Sequence, residues 1–232
     1  MDIQLELETK AGHSPLAFHY QWMVNAGYVG KNQEEVRRHI EELAAKGIPG
    51  PPSTPTLYPV VLTALTTEDE IEVYGDKSSG EVEYVLLVKS PDEVYVGLGS
   101  DHTDRFLEEV DIPRAKQICP NIMSRTVWPL DEMVAHWDDL VMTSTVTIQG
   151  KSVRYQEGRL GLLLNPAELM DFVRGKLSQP LKDTVIFSGT MGMLGGEFLF
   201  GERFSAELVD GHLDRRLGIE YRVKPLNYLS VD

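Results

Sequence analysis

A single cysteine, Cys119, stands in a chain of 232 residues, which excludes an internal disulfide framework and fits a reducing compartment. The cytoplasm is the expected location. Positive charge is also scarce: 22 Lys and Arg stand against 36 Asp and Glu, a formal net charge of -14, and no basic cluster stands out. Phosphate binding needs concentrated Lys and Arg, so nucleic acid is not an expected partner. Long apolar runs are missing as well. Stretches such as "YPVVLTAL" are too short to cross a bilayer, and the opening "MDIQLELETK" has neither the basic nor the apolar region of a secretion signal. No membrane partner is expected. The chain also lacks a Gly-x-Ser-x-Gly elbow, a zinc-protease helix, a dinucleotide fingerprint, an internal repeat and a low-complexity tract.

What is present reads as one domain, long enough to enclose a substantial core and rich in strands. "IQLELE", "VEYVLLV", "EVYVGLG", "STVTIQG" and "RFSAELV" carry strand patterning. "KSPDE" and Asp210-Gly211 supply hairpin turns. Two amphipathic helices interrupt the strands. "NQEEVRRHIEELAAKG" has Asn32 at the N-cap and Glu35 at the capping-box position, with Val36, Ile40, Leu43 and Ala44 on its apolar side and Gly47 as its stop. "NPAELMDFVRGKL" starts at Asn165 and Pro166 and buries Leu169, Phe172 and Val173. The proline-rich stretch 47–59 reads as an ordered connector, because apolar strand-like sequence resumes at Val60.

Chemistry concentrates in three places. In "SSGEVEYVLLVKS", Glu81 and Glu83 share a strand face with Val85 and Leu87. Buried carboxylates need a cation, donors or water. "VYVGLGSDHTDR" delivers Asp101 at the end of the next strand, and three oxygen ligands suit magnesium or manganese better than zinc. The same residues also fit an exposed strand end and a turn cap. His39 and Glu42, spaced i and i+3, read either as a general-base pair or as a solvated surface pair. "VIFSGTMGMLGG" runs a strand into a glycine turn where the Thr190 hydroxyl and backbone N–H groups face an anionic oxygen, or where the chain merely turns tightly. It is not a P-loop, because no Gly-Lys-Ser/Thr follows. His102, Lys116 and Cys119 are isolated candidates, with Cys119 beside Pro120 read as an inert structural thiol.

Taken in order, these segments resemble the fumarylacetoacetate hydrolase superfamily, and specifically its DUF2848 branch. "YVGKNQEEVRRHIEEL" resembles a Gly-x-Asn followed by His-x-x-Glu on Gly30, Asn32, His39 and Glu42. "GEVEYVLLV" resembles the Glu-x-Glu-Leu strand, "GSDHTDR" the Asn-Asp-x-x-x-Arg-Asp motif, and "DTVIFSGTMG" the Asp-Val-Ile-x-Thr-Gly-Thr-Pro segment. Ser100, Phe106 and Met191 depart from those patterns. The resemblance implies an α+β fold, predominantly β: a mixed β-sheet roll with a few flanking helices, its core spanning 25–225 after an N-terminal strand extension at 1–24. It implies a metal, Mg or Mn, on Glu81, Glu83 and Asp101. It also implies catalytic His39, Glu42 and Lys116, and substrate-binding Arg105, Thr190 and Gly189. The implied reaction is hydrolysis of a carbon–carbon bond in a small acylpyruvate or β-diketo acid, through a metal-stabilised enolate, in a homodimer. Decarboxylation, isomerisation, tautomerisation or hydration of a keto acid at the same site is the alternative. A ligand-binding protein with a dead site is a further one.

Overall fold

The computed structural model describes residues 1–44, 50, 51 and 53–229, without the side chains of Glu35, His39 and residues 42–44. The chain opens with β1 (Asp2–Thr9), β2 (Gly12–His19) and β3 (Trp22–Gly27), then α1 (Gln33–Ala44). Four short strands follow: β4 (Thr56–Pro59), β5 (Leu65–Thr66), β6 (Glu70–Val73) and β7 (Ser78–Ser79). The long hairpin of β8 (Val82–Ser90) and β9 (Glu93–Asp101) leads to β10 (Thr103–Asp104), α2 (Arg105–Glu108) and α3 (Ile112–Ile118). After β11 (Asn121–Met123) and β12 (Thr126–Pro129) come the hairpin β13 (Val141–Ile148) and β14 (Lys151–Arg159), and α4 (Pro166–Arg174). The chain closes with β15 (Thr184–Phe187), β16 (Arg203–Asp210) and β17 (Arg215–Pro225).

A mixed ten-stranded sheet runs in the order β2-β1-β12-β9-β8-β15-β3-β4, with β11 and β5 branching from β9. A five-stranded sheet, β14-β13-β16-β17-β6, covers one of its faces. Between them lies the larger core, where Val82, Tyr84, Leu86 and Val88 of β8 meet Phe204, Leu208 and Tyr221. On the other face of the large sheet, Leu5 and Phe18 from one end of the strand order join Met23 from the other end, with Val85, Leu87 and Phe187 between them. Distant strands can meet there only because the sheet curls back on itself into a roll. β8 is therefore buried on both sides, and this explains its unbroken apolar run where β16 and β17 alternate buried with exposed. Full burial of each such side chain contributes about 1.5–3 kcal/mol.

The hairpins fall where the turn signals place them, with Ser90 opposite Glu93 and Asp210 opposite Arg215. α4 carries the expected start: Asn165 accepts from the Glu168 N–H and Glu168 reaches back to the Asn165 N–H. Leu169 and Val173 are buried, whereas Phe172 is only half-buried, because the turn of the helix puts it at the flank of the stripe those two define. The N-terminal strands are integral to the large sheet, with β1 paired in parallel to β12. The Asn165 helix start is thus seen in full, but the side chains of Glu35, Leu43 and Ala44 in the first helix, and Gly47 altogether, lie outside what is described. So does much of the 47–59 connector. Among the described residues no helix is long and apolar enough to cross a membrane.

Candidate metal centre

The site grows from the β8–β9 pair. Glu83 lies opposite Gly99 and Val82 opposite Ser100, and the Asp101 N–H donates to the Glu81 carbonyl at 3.1 Å. Alternation then places Glu83 on the same face as Val85, next to the end of β9 where Asp101 projects. One carboxylate oxygen from each of Glu81, Glu83 and Asp101 falls within 4.8 Å of the other two. Glu83 and Asp101 are each 1% exposed, and Glu81 keeps a path to solvent. Gly80, just before them, has no room for a Cβ, which would stand 2.6–2.7 Å from Tyr221, Phe204 and Ser100.

Two cations come from the short helices that follow. Asp104 caps α2 by accepting from the Leu107 N–H, and Asp111 caps α3 by accepting from the Arg114 N–H. α3 thereby carries Lys116 inward, with its Nζ 2.6 Å from Asp101 Oδ2, 3.4 Å from Glu81 Oε2 and 3.7 Å from Glu108 Oε1. Lys116 also donates to Thr103 Oγ1 at 3.2 Å. Arg105, at the head of α2, pairs with Glu81 Oε1 at 3.2 Å and Glu108 Oε2 at 2.7 Å. Its Nε donates to Ser79 Oγ at 2.8 Å, and its guanidinium lies 4.2 Å from the centre of the Phe198 ring.

Electrostatics decide what this arrangement accepts. Four carboxylates, Glu81, Glu83, Asp101 and Glu108, surround two cations, Arg105 and Lys116, so two formal negative charges stay uncompensated. Burial pushes the Glu83 carboxyl well above its ordinary range, and Asp101 and Glu81 add to that, against the pull of Lys116 and the Gly189 N–H. Burial alone would lower the Lys116 ammonium, but Asp101, Glu81 and Glu108 overcome it and hold the group well above the usual lysine value. Asp101 Oδ1 has only long contacts of 3.4 Å, to Thr103 and Asn121, so it keeps a lone pair available. An oxygen-only donor set in which carboxylates outnumber cations fits a hard divalent cation such as Mg²⁺ or Mn²⁺. Zinc finds no His or Cys in the set.

The Gly189 turn closes the far side. The Gly189 N–H donates to Glu83 Oε2 at 2.8 Å. Gly189 sits at φ +83°, and a Cβ there would stand 2.8 Å from Val29 and 2.9 Å from the Ala26 carbonyl, so no other residue fits. Thr190 differs from expectation. Its hydroxyl donates to the Val82 carbonyl at 2.7 Å and accepts from Gln156 at 2.7 Å, so it has no proton left to offer a ligand.

The structure thus brings Glu81, Glu83, Asp101, Arg105, Lys116, Gly189 and Thr190 into one locality. His39 and Glu42 lie on α1, and their side chains are outside the described residues. His102 is a strut behind the site: it is buried, bonded to Tyr221 at 2.9 Å and Ser78 at 3.0 Å, and driven down to about 3 by burial and by Arg105. Cys119 is buried and its thiol is pushed up to about 12, chiefly by burial, as an inert structural thiol should be. Sequence reasoning missed Glu108, three residues after Arg105 on one helix and readable from that spacing. It also missed Ser79, Asn121 and Gln156, which no local pattern marks. Tyr28 was missed too. It stands in the left-handed region at φ 59°, and its phenol is pushed up to about 12, first by burial and then by Tyr58, Glu108 and Glu81.

This is the fold of the fumarylacetoacetate hydrolase family. The chain aligns at a TM-score of 0.61 and 14% identity with yeast ynq8, a fumarylacetoacetate hydrolase family protein, covering 92% of this chain and 96% of that one. It matches Cg1458 at a TM-score of 0.64 and 14% identity, over 97% of this chain and 100% of the other. A third similar structure is 2-keto-3-deoxy-D-arabinonate dehydratase complexed with magnesium and 2,5-dioxopentanoate, at a TM-score of 0.63 and 15% identity, covering 88% and 73% respectively. Residues 26–221 match the family described as protein of unknown function (DUF2848), and the chain belongs to that family. No curated protein matches it in sequence.

Proposed function

We propose that the chain is a Mg²⁺- or Mn²⁺-dependent enzyme that hydrolyses a carbon–carbon bond in a small acylpyruvate or β-diketo acid. The observation that carries this reading is the convergence of Glu81, Glu83 and Asp101 oxygens within 4.8 Å, beside the buried Lys116 and Arg105. The magnesium and 2,5-dioxopentanoate bound by the similar dehydratase support a keto-acid substrate class. Glu81, Glu83 and Asp101 hold the cation. A divalent ion there supplies Lewis-acid polarisation of a carbonyl oxygen and neutralises negative charge developing on it. Lys116 and Arg105 attract the substrate carboxylate and orient it. The Gly189–Thr190 turn lies across Glu83, where a backbone N–H can meet a second oxygen. His39 and Glu42 are assigned as the pair that takes a proton from the attacking water and returns it to the departing carbon.

A second reading keeps the site and changes the outcome to loss of water or carbon dioxide. The dehydratase among the similar structures favours it. Purified protein incubated with Mn²⁺ and either acetylpyruvate or oxaloacetate separates the two. Acetate plus pyruvate from acetylpyruvate supports hydrolysis, and pyruvate plus carbon dioxide from oxaloacetate alone supports the second reading. No turnover of either, with no Mn²⁺ bound by the wild type, overturns both.

A further inference from the structure

Gln156 is fully buried, yet its side-chain amide makes four hydrogen bonds beside the site. Its Oε1 accepts from the Val82 N–H at 3.1 Å and from Ser144 Oγ at 3.0 Å. Its Nε2 donates to Thr190 Oγ1 at 2.7 Å and to the Met191 carbonyl at 2.8 Å. The orientation of the amide is forced, because Val82 offers only a donor there and Met191 only an acceptor.

Local structure explains how a polar residue comes to lie there. The β13–β14 register shifts after Ser144, so that Gln156 faces Ser144 while Arg154 faces Thr145. Tyr155 is the extra residue of a bulge, and both Tyr155 and Gln156 turn inward, which regular alternation would forbid.

The four bonds join particular segments. Val82 is the residue between Glu81 and Glu83, and Thr190 follows the glycine whose N–H binds Glu83. Thr190 Oγ1 returns to the Val82 carbonyl, so Gln156 and Thr190 grip both polar backbone atoms of Val82. The Thr190 hydroxyl proton is consumed in this grip, and the Thr190 N–H has no partner among the described residues. We infer that Gln156 is a positioning residue: through Thr190 and Val82 it locks the Gly189–Thr190 turn onto the Glu81–Glu83 segment, so that the turn presents its peptide N–H, not its hydroxyl, to a substrate oxygen. This rests on the metal-dependent reading above. Glu83 is placed by the β8–β9 ladder, and Glu81 and Asp101 are tied by the Asp101 N–H to the Glu81 carbonyl; neither contact involves Gln156, so Gln156 governs the ligand that reaches the turn and leaves the cation's own affinity nearly alone.

Oxalate, a planar dianion that can chelate a cation and still reach a neighbouring N–H, is the probe, with Mn²⁺ as the metal. Binding of Mn²⁺ and then of oxalate to the loaded protein is measured by calorimetry. Gln156→Met should change Mn²⁺ affinity less than threefold and weaken oxalate tenfold or more. Thr190→Val, which deletes the hydroxyl between Gln156 and the Val82 carbonyl, should reproduce the oxalate loss, and Thr190→Ser should recover it. The Thr190 pair decides the matter if Gln156→Met does not fold. Oxalate affinity within threefold of wild type in Gln156→Met or, should that variant not fold, in Thr190→Val overturns the inference, leaving Gln156 a strut of the fold. Loss of Mn²⁺ binding together with oxalate binding in Gln156→Met also overturns it, since Gln156 would then support the ligands themselves. A wild type that binds no Mn²⁺ overturns the metal reading, and this role with it.

Discussion

Lys116 Nζ lies 2.6 Å from Asp101 Oδ2, and both side chains are buried. The pair joins α3 to the end of β9, and it neutralises one of the carboxylates that would otherwise repel each other around Glu83. A buried ion pair is costly to split because the survivor stays charged without a partner. Lys116 therefore compensates part of the acidic cluster's repulsion on its own, and a cation bound by the proposed site would still have this positive charge beside it.

Lys116→Met should destabilise the metal-free protein by about 3–5 kcal/mol, the usual cost of orphaning a buried charge. Mn²⁺ should recover part of that loss, because it compensates the same carboxylates. Urea unfolding with and without Mn²⁺ measures both terms. An equal deficit in the two conditions would show that Lys116 and the cation do not share those carboxylates.

Arg105 spends most of its fork on Ser79, Glu81 and Glu108, and it stacks on Phe198. Arg105→Lys keeps the charge but cannot keep these contacts together, since an ammonium is a point donor. kcat/KM for a substrate carrying a carboxylate should fall tenfold or more, about 1.4 kcal/mol of transition-state binding. Steady-state kinetics across acetylpyruvate concentrations is the measurement, and an unchanged kcat/KM would remove Arg105 from the binding role.

The legible parts of this protein were those that local periodicity encodes. Glu81 and Glu83 one residue apart had to share a face, and their company, Val85 and Leu87, marked that face as interior. Asn165 with Glu168 announced α4 because a cap is a four-residue event. Gln156 was illegible because one bulge at Tyr155 shifts the phase of β14, and no residue type there signals a bulge. Lys116 was visible as a candidate, but its 2.6 Å approach to Asp101 depends on how α3 docks against β10, which spacing along the chain does not carry. The engagement of the Thr190 hydroxyl is hidden from the sequence for a related reason. A glycine-rich turn shows that donors exist, and only the surrounding strands decide which are already used.

Cys119 should be nearly inert to iodoacetamide in the folded protein at neutral pH. Its thiol is buried and raised to about 12, and the thiolate is the reacting species. Labelling should rise with pH toward that value, and at pH 7 it should become rapid only in denaturant. Mass spectrometry of time points in buffer and in guanidinium gives the answer. Rapid native-state labelling at pH 7 would mean that the α3–β11 junction opens easily.

Asp210 contributes to stability against acid. It is fully buried at the β16–β17 turn and accepts from His136 Nε2 at 3.0 Å, the His212 N–H at 3.1 Å and the Leu213 N–H at 3.2 Å. Burial works to raise its pKa, but the His136 hydrogen bond, the Leu213 N–H, the His136 charge and Arg215 together hold it below the ordinary 3.8. A depressed carboxyl contributes stability that is fully present above its unfolded value, near pH 4, and is lost as pH falls through the lower folded value. Asp210→Asn should cost about 1.5–3 kcal/mol at pH 7 through weakened hydrogen bonds to a charged acceptor, since Arg215 keeps its ion pair with Glu132 at 2.7 Å when Asp210 at 3.4 Å is neutralised. The gap between wild type and variant should narrow only below about pH 4. Urea midpoints from pH 3 to pH 7 test it: a gap that closes well above pH 4 would show that Asp210 is not held in its charged form by this turn.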